Sequence, residues 1–362
     1  MRKEGVGGLQ TAIDGSPTTP ANWVRPFYST NTGCAFSGDA RSLLAKTPDR
    51  SVSLLLTSPP FALRRKKDYG NVDAEEYVEW FLEFGREAYR TLKDDGSLVV
   101  DIGGSWIPGQ PTRSLYHFEL LIALCKQVGF HLAEEFYWYN PSKLPSPAEW
   151  VNVRRIRVKD AVNCVWWLSK TPNPKANNRR VLKTYSESMQ DLIKNGYVAK
   201  KRPSGWDIST KFGRDNGGSI PPNLLMIPNT DSNGSYLERC REAGYKPHPA
   251  RFPADLPRFF VKFLTDSKDD VVLDIFAGSN MTGWVAEQEG RPWLSFEIRE
   301  DYLEASKLRW NPSQIVGRPK TGRAPTTIGC LLTNRDRVAS KQQSRGTSQE
   351  VSARAPLLSS TV

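Results

Sequence analysis

The 362-residue sequence predicts an α/β protein, a doubly wound and mostly parallel sheet carrying one large insertion. Three observations lead there. Apolar runs such as VSLLLT and VVLDIF are too continuous for strands with a wet face and suit strands buried on both sides. Segments with apolar residues at helical spacing lie between them. Gly, Pro and small polar residues mark the changeovers.

Taken in order, residues 1–30 are rich in Gly, Pro, Ser and Thr and are expected to be flexible. Residues 52–57 form the first buried strand. Residues 73–92 place Tyr77, Phe81, Phe84 and Ala88 on one helical stripe. Residues 97–102 form a strand stopped by Gly103 and Gly104, residues 116–128 a helix, and residues 135–139 and 161–168 two more strands. Trp166 and Trp167 in the last of these place at least one ring in the core. Residues 271–276 are strand, 281–289 a short helix, 293–298 strand and 301–310 a closing helix. Residues 172–245 break the alternation with Lys, Arg, Asn, Gly and Pro, as in KKRPSGWDISTKFGRDNGGSIPPN. That stretch is too long for an ordinary connection and reads as a functional insertion or small subdomain. No internal repeat is visible.

Composition narrows the function. The net charge of +11 suggests a polyanionic partner. From Asn311 onward there are eight Lys/Arg against two Asp/Glu, so more than half of that excess sits in a tail without sustained periodicity. No run of eighteen apolar residues indicates a membrane span, and the N-terminus lacks an apolar signal region. Five scattered cysteines, none in a CxxC pair, do not suggest a disulfide framework, and three histidines without ligand spacing suggest no metal site. A reducing cytoplasm is the expected compartment.

Two motifs carry chemistry. In VVLDIFAGSNMTG a buried strand runs into a small-residue turn and then a helix, which aims free backbone N–H groups at a ligand. Glu297 follows Gly278 by nineteen residues, at the end of WLSFEI, where a carboxylate can accept both hydroxyls of a ribose. The spacing is not G-x-G-x-x-G, which disfavours a nicotinamide cofactor. The second motif, Ser58-Pro59-Pro60-Phe61, ends the first buried strand. Ligands in open parallel sheets sit beyond the carboxyl ends of strands at the switch in winding direction, so the two motifs can share one site.

Together these motifs resemble the β group of S-adenosylmethionine-dependent amino-methyltransferases, with the proline motif first and the glycine turn last. The strings TSPPFALRRKKDYGN, FYWYNPSKLPSPAEWVN, RIRVKDAVN, NGGSIPPNLL, HPARFPADLP and DIFAGSN are similar to cytosine-N4 DNA methyltransferases acting at CAGCTG in bacterial restriction–modification. The resemblance spans roughly residues 33–308 and implies a Rossmann-like methyltransferase fold. It divides the chain into a flexible start (1–30), a first catalytic part (31–171), a target-recognition insertion (172–245), a second catalytic part with the cofactor site (246–310) and a disordered basic tail (311–362).

The chemistry accounts for the proline motif. A cytosine amino group shares its lone pair with the ring and must be held by acceptors that draw its N–H bonds out of the conjugated plane. The Ser58 hydroxyl and the Pro59 carbonyl can be those acceptors, held rigid by the fixed φ of Pro59 and Pro60, while Phe61 can stack on a flipped base. Asp101 is the candidate proton acceptor or orienting group, against the alternative of capping a turn. The resemblance implies that Asp274, Phe276, Gly278, Ser279 and Asn280 form the cofactor turn; Asn280 departs from the family's general F-x-G-x-G pattern, which has glycine there, and could instead hydrogen-bond the methionine carboxylate. It further implies Glu297 at the ribose, Asp39 near the adenine, and Phe252 and Pro253 facing the methionine part. Arg64, Arg65, Lys66 and Lys67 are a solvated face or, beside a flipping site, phosphate contacts. Lys143, Arg154 and Arg155 join them as candidate DNA contacts. The expected partners are S-adenosylmethionine and duplex DNA, with a restriction endonuclease as a functional counterpart, no membrane, and a monomeric enzyme. Adenine-N6 methylation and a catalytically inactive DNA-binding protein are the alternatives.

Overall fold

A computed structural model describes residues 24–62, 73–196, 203, 209–230 and 234–315. Nine strands form one sheet: β1 (Tyr28–Ser29), β2 (Gly33–Ser37), β3 (Val52–Thr57), β4 (Leu92–Ile102), β5 (His131–Tyr139), β6 (Val162–Ser169), β7 (Leu224–Met226), β8 (Val272–Asp274) and β9 (Trp293–Glu297). Their spatial order is β1-β2-β9-β8-β3-β4-β6-β5-β7. Five of the eight pairings are parallel, matching the expected sheet.

The chain winds one way from β3 through α2 (Tyr77–Thr91) to β4, and the other way from β8 through α7 (Met281–Gln288) to β9. The switch falls between the neighbours β3 and β8, where a ligand crevice is expected. β3 is buried along its whole length, as its unbroken apolar run requires.

Helices cover both faces. α1 (Ala40–Leu44), α2 and α3 (Tyr116–Ala123) supply one core layer with Phe36, Leu55, Leu98 and Trp166. α6 (Asp255–Leu264), α7 and α8 (Glu300–Ser306) supply the other with Leu54, Val99, Trp167 and Trp293. Trp166 and Trp167 are thus both core, on opposite faces, because successive strand side chains alternate.

Several elements carry little local signal. β2, GCAFS, has little intrinsic strand preference and is held by parallel pairing to β9. α6 carries Pro257 in its first turn, where a missing N–H is harmless. The expected flexible start is corrected in part: Phe27, Tyr28, Ser29 and Thr30 are buried, and Tyr28–Ser29 pairs with Cys34 and Ala35. The rest of that start, residues 1–23, and residues 316–362 of the tail lie outside the described residues. The described parts of the insertion are tied to the rest of the fold. Lys175 bridges Asp266 and Asp270, β7 joins the sheet beside β5, and α5 (Ser235–Glu242) packs Tyr236 and Cys240 against Ala305. Among the described residues no helix is long and apolar enough to cross a membrane.

Gly33 tests the pairing of β2 with β9. A Cβ there would run into the Trp293 indole, a buried ring that cannot swing away. Gly33→Ala is expected to lower stability by about 2 kcal/mol or more, read as a reduced urea midpoint.

Candidate active site

The two motifs meet through one buried carboxylate. Asp274 ends β8, and its Oδ1 accepts from Thr57 Oγ1 at 2.8 Å and from the Phe276 N–H at 3.1 Å. Its Oδ2 accepts from Thr282 Oγ1 at 2.7 Å. Thr57 immediately precedes Ser58, so this bond ties the proline motif to the glycine turn across 217 residues. Burial pushes the Asp274 carboxyl up to about 6, against the opposing pull of its three donors. A cavity of about 720 Å³ opens above this joint. Ser58, Pro59, Pro60 and Phe61 line one side, and Phe276, Gly278 and Ser279 the other.

On the first side Ser58 is half-buried and its hydroxyl donates to Asp101 Oδ2 at 3.0 Å. Asn163 Nδ2 donates to Asp101 Oδ1 at 3.1 Å. Both Asp101 oxygens are thus engaged by side chains that line the cavity, which is not the geometry of a turn cap. Burial raises its carboxyl to about 6, while Asn163, Ser58 and the Lys143 charge pull it back. The Pro60 carbonyl accepts from Tyr77 Oη at 2.8 Å, which holds the second proline in place. Gly103 makes room for the aromatic ring of the motif: a Cβ there would sit 2.7 Å from Phe61.

On the second side Gly278 has φ +51, and a Cβ would approach the His248 ring to 3.1 Å. Its N–H donates to Glu297 Oε2 at 2.8 Å, while Glu297 Oε1 accepts from the Arg299 N–H at 3.0 Å. With the Ile298 N–H also acting on it, the carboxylate keeps about one acceptor position for a hydroxyl at the cavity wall. Asp39 also lines the cavity, caps α1 through the Arg41 and Ser42 N–H groups, and is held below the ordinary range chiefly by the Arg41 side chain. Phe252 lines the cavity as well.

Three expected cofactor residues do not face it. Asp274 is consumed by its own donors. Pro253 is buried and does not line the cavity. Asn280 adopts left-handed backbone at φ 52 and turns inward: Oδ1 accepts from Ser295 Oγ and the Gly283 N–H, and Nδ2 donates to Tyr28 Oη. It shapes the turn and is not available to a methionine carboxylate. Trp80, Phe84, Asn140, Asn229 and His248 line the cavity and were missed. The Trp80 and Phe84 rings lie 5.8 Å and 5.1 Å from Phe276 and belong to an element read only as helix. His248 opens the HPARFP string, the one signal that could have marked it; burial pushes its imidazole down to about 4.

Of the candidate DNA contacts, Lys143 lines the cavity. Arg154 pairs with Glu149 and covers the Trp150 ring, and Arg155 is exposed; both lie outside the cavity. Arg64, Arg65, Lys66 and Lys67 lie outside the described residues. Among the described residues no group of three His, Cys, Asp or Glu side chains could hold a metal ion. The lining fits S-adenosylmethionine: an aromatic wall for a purine and a sulfonium, and a carboxylate at the cavity wall for a ribose hydroxyl. The volume is in the range of ligand pockets.

Comparison with known proteins agrees with this geometry. The DNA methylase family, of the N6/N4 type, matches residues 52–308. The type II methyltransferase M.PvuII of Proteus hauseri is 56% identical over 80% of this chain and 87% of its own. M.ScaI of Streptomyces caespitosus is 26% identical over 77% of this chain and 82% of its own. The solved structure of the PvuII DNA methyltransferase, titled cytosine-N4-specific, superposes with a TM-score of 0.66 at 48% identity, covering 85% of this chain and 95% of its own.

Thr57→Val removes a donor to ionised Asp274. The buried carboxyl favours the folded state fully below the ordinary carboxylate range, and that contribution is lost as pH rises through about 6. The variant raises that pKa further. Urea unfolding is therefore expected to show a loss of about 1–3 kcal/mol at pH 8 and a smaller loss at pH 5.

Proposed function

The chain belongs to the DNA methylase family, and from that premise we propose that it methylates the exocyclic N4 of a flipped-out cytosine in duplex DNA, within CAGCTG. The observation that carries this reading is the single cavity joining Ser58–Phe61 to the Phe276–Ser279 turn. The high identity to a relative whose structure is titled cytosine-N4-specific supports the choice of amine.

S-adenosylmethionine, the methyl donor, supplies an electrophilic methyl group when bound. The chain's own residues prepare the nucleophile. Ionised Asp101 takes the Ser58 hydroxyl hydrogen, which turns the Ser58 oxygen lone pairs toward the base. That oxygen and the Pro59 carbonyl accept the two amine hydrogens and draw the nitrogen lone pair out of conjugation. Holding the amine in line with the methyl supplies much of the acceleration. As the methylated amine releases a proton, Ser58 Oγ takes it and passes its own to Asp101 across 3.0 Å. A carboxyl near pKa 6 can hold that proton and return it to solvent at neutral pH.

Residues 172–245 are the target reader in this proposal, with Lys143, Arg154 and Arg155 on the DNA backbone. The enzyme works as a monomer in the bacterial cytoplasm, meeting each strand of its symmetric site in turn, and protects DNA from a partner endonuclease.

Nucleoside analysis of methylated DNA should find N4-methylcytosine, and a plasmid should resist cutting at CAGCTG alone; N6-methyladenine as sole product would reject the proposal. Ser58→Ala should cut the single-turnover rate about 10²–10³-fold with S-adenosylmethionine affinity retained. Because Asp101 must be ionised, the single-turnover rate should rise with pH through about 6 and then level. Asp101→Asn should abolish that limb.

A further inference from the structure

A second cavity, of about 330 Å³, lies beside the first and shares Ala161 with it as a lining residue. One wall is an arm at the carboxyl end of β4, closed by the Trp106–Arg113 bridge and the Ile107 N–H to Thr112 carbonyl bond. The other wall is residues 157–162, entering β6 at the same end of the sheet. Three cations, Arg113, Arg157 and Lys159, line it against one carboxylate, Asp160. Arg113 pairs with Asp160 at 2.8 Å and covers the Trp106 ring at 4.3 Å. Arg157 donates to the Pro111 and Ile156 carbonyls, and Lys159 to the Pro141 and Lys143 carbonyls. Among the described residues neither has a carboxylate partner, so two charges remain without a counter-ion. Trp106 Nε1, shut off from solvent, has no hydrogen-bond partner at all.

We propose that this cavity is a phosphodiester pocket, which grips the backbone phosphate next to the flipped cytosine. It rests on the function proposed above and adds the site that holds the strand while the base leaves the stack. Turning a nucleotide out of a duplex requires its flanking backbone to be held, and phosphate oxygens are bound by guanidinium groups and neutral N–H donors. Arg157 lines the pocket and supplies the first; the orphaned indole N–H, sealed from solvent in the free protein, supplies the second once the arm opens to the phosphate. The pocket also controls the neighbouring wall: Lys159 pins the loop that carries Lys143 into the first cavity.

The test is a CAGCTG duplex with a neutral methylphosphonate placed, one at a time, at each phosphate flanking the target cytosine. Binding is read by fluorescence anisotropy for the wild type, Arg157→Gln and Trp106→Phe. The wild type should lose several-fold in affinity at one flanking phosphate. Both variants should bind the ordinary duplex more weakly, yet lose little further at that same phosphate. Arg157→Gln should also flatten the slope of log affinity against log salt by about 0.9. Retained S-adenosylmethionine affinity shows that each variant is folded, and two unlike substitutions guard against one misfolding. Additive losses at every phosphate, or variants that bind like the wild type, would overturn the pocket while leaving methylation of CAGCTG standing. Failure of the wild type to methylate any duplex would instead overturn the underlying function.

Discussion

The Thr57–Asp274 hydrogen bond is the joint on which this molecule turns. It joins the carboxyl ends of two adjacent parallel strands that carry the two halves of the chemistry. Both groups are buried, so a lost donor could not be replaced by water. With Thr282 and the Phe276 N–H completing its shell, Asp274 sets where the glycine turn leaves β8 and, through Thr57, where the proline motif leaves β3.

Two buried carboxyls here sit near pKa 6 for the same reason, desolvation, yet do different work. Asp274 is closed in by its donors and has no face on the cavity. Asp101 lines the cavity and holds the Ser58 hydroxyl. A raised carboxyl is therefore not in itself a sign of reactivity; the open side decides its role. Asn163 keeps Asp101 oriented, and Gly103 leaves space for the Phe61 ring beside it, so the side chains around Ser58 are fixed by their neighbours.

The glycine turn shows how a local departure can be rebuilt from afar. Asn280, in left-handed backbone, is held by Ser295 on β9 and by Tyr28 on β1. Tyr28 in turn bonds Ser306 at 2.8 Å, so a segment before the first long strand helps shape the turn. Arg309 closes the back of the turn on the Ser279 carbonyl and hydroxyl while lying over the Tyr236 ring, which links the end of the insertion to the site.

Strand identity was legible wherever local sequence is decisive. The runs at 52–57 and 271–276 are apolar because both faces of a central parallel strand are covered, and the small residues after them signal the turns that build the site. The family strings pointed to Ser58, Gly278 and Glu297, and all three line the one cavity. Tertiary structure alone decided which way side chains point. Asp274 and Asn280 sit in the expected motifs but turn inward, because their partners, Thr57, Tyr28 and Ser295, include residues hundreds of positions away. Trp80, Phe84 and His248 enter the cavity for the same reason, and the edge strand at Tyr28 exists only because β2 is there to pair with it. Periodicity reports whether a residue is buried; what it is buried against depends on how distant segments pack, and no local pattern encodes that.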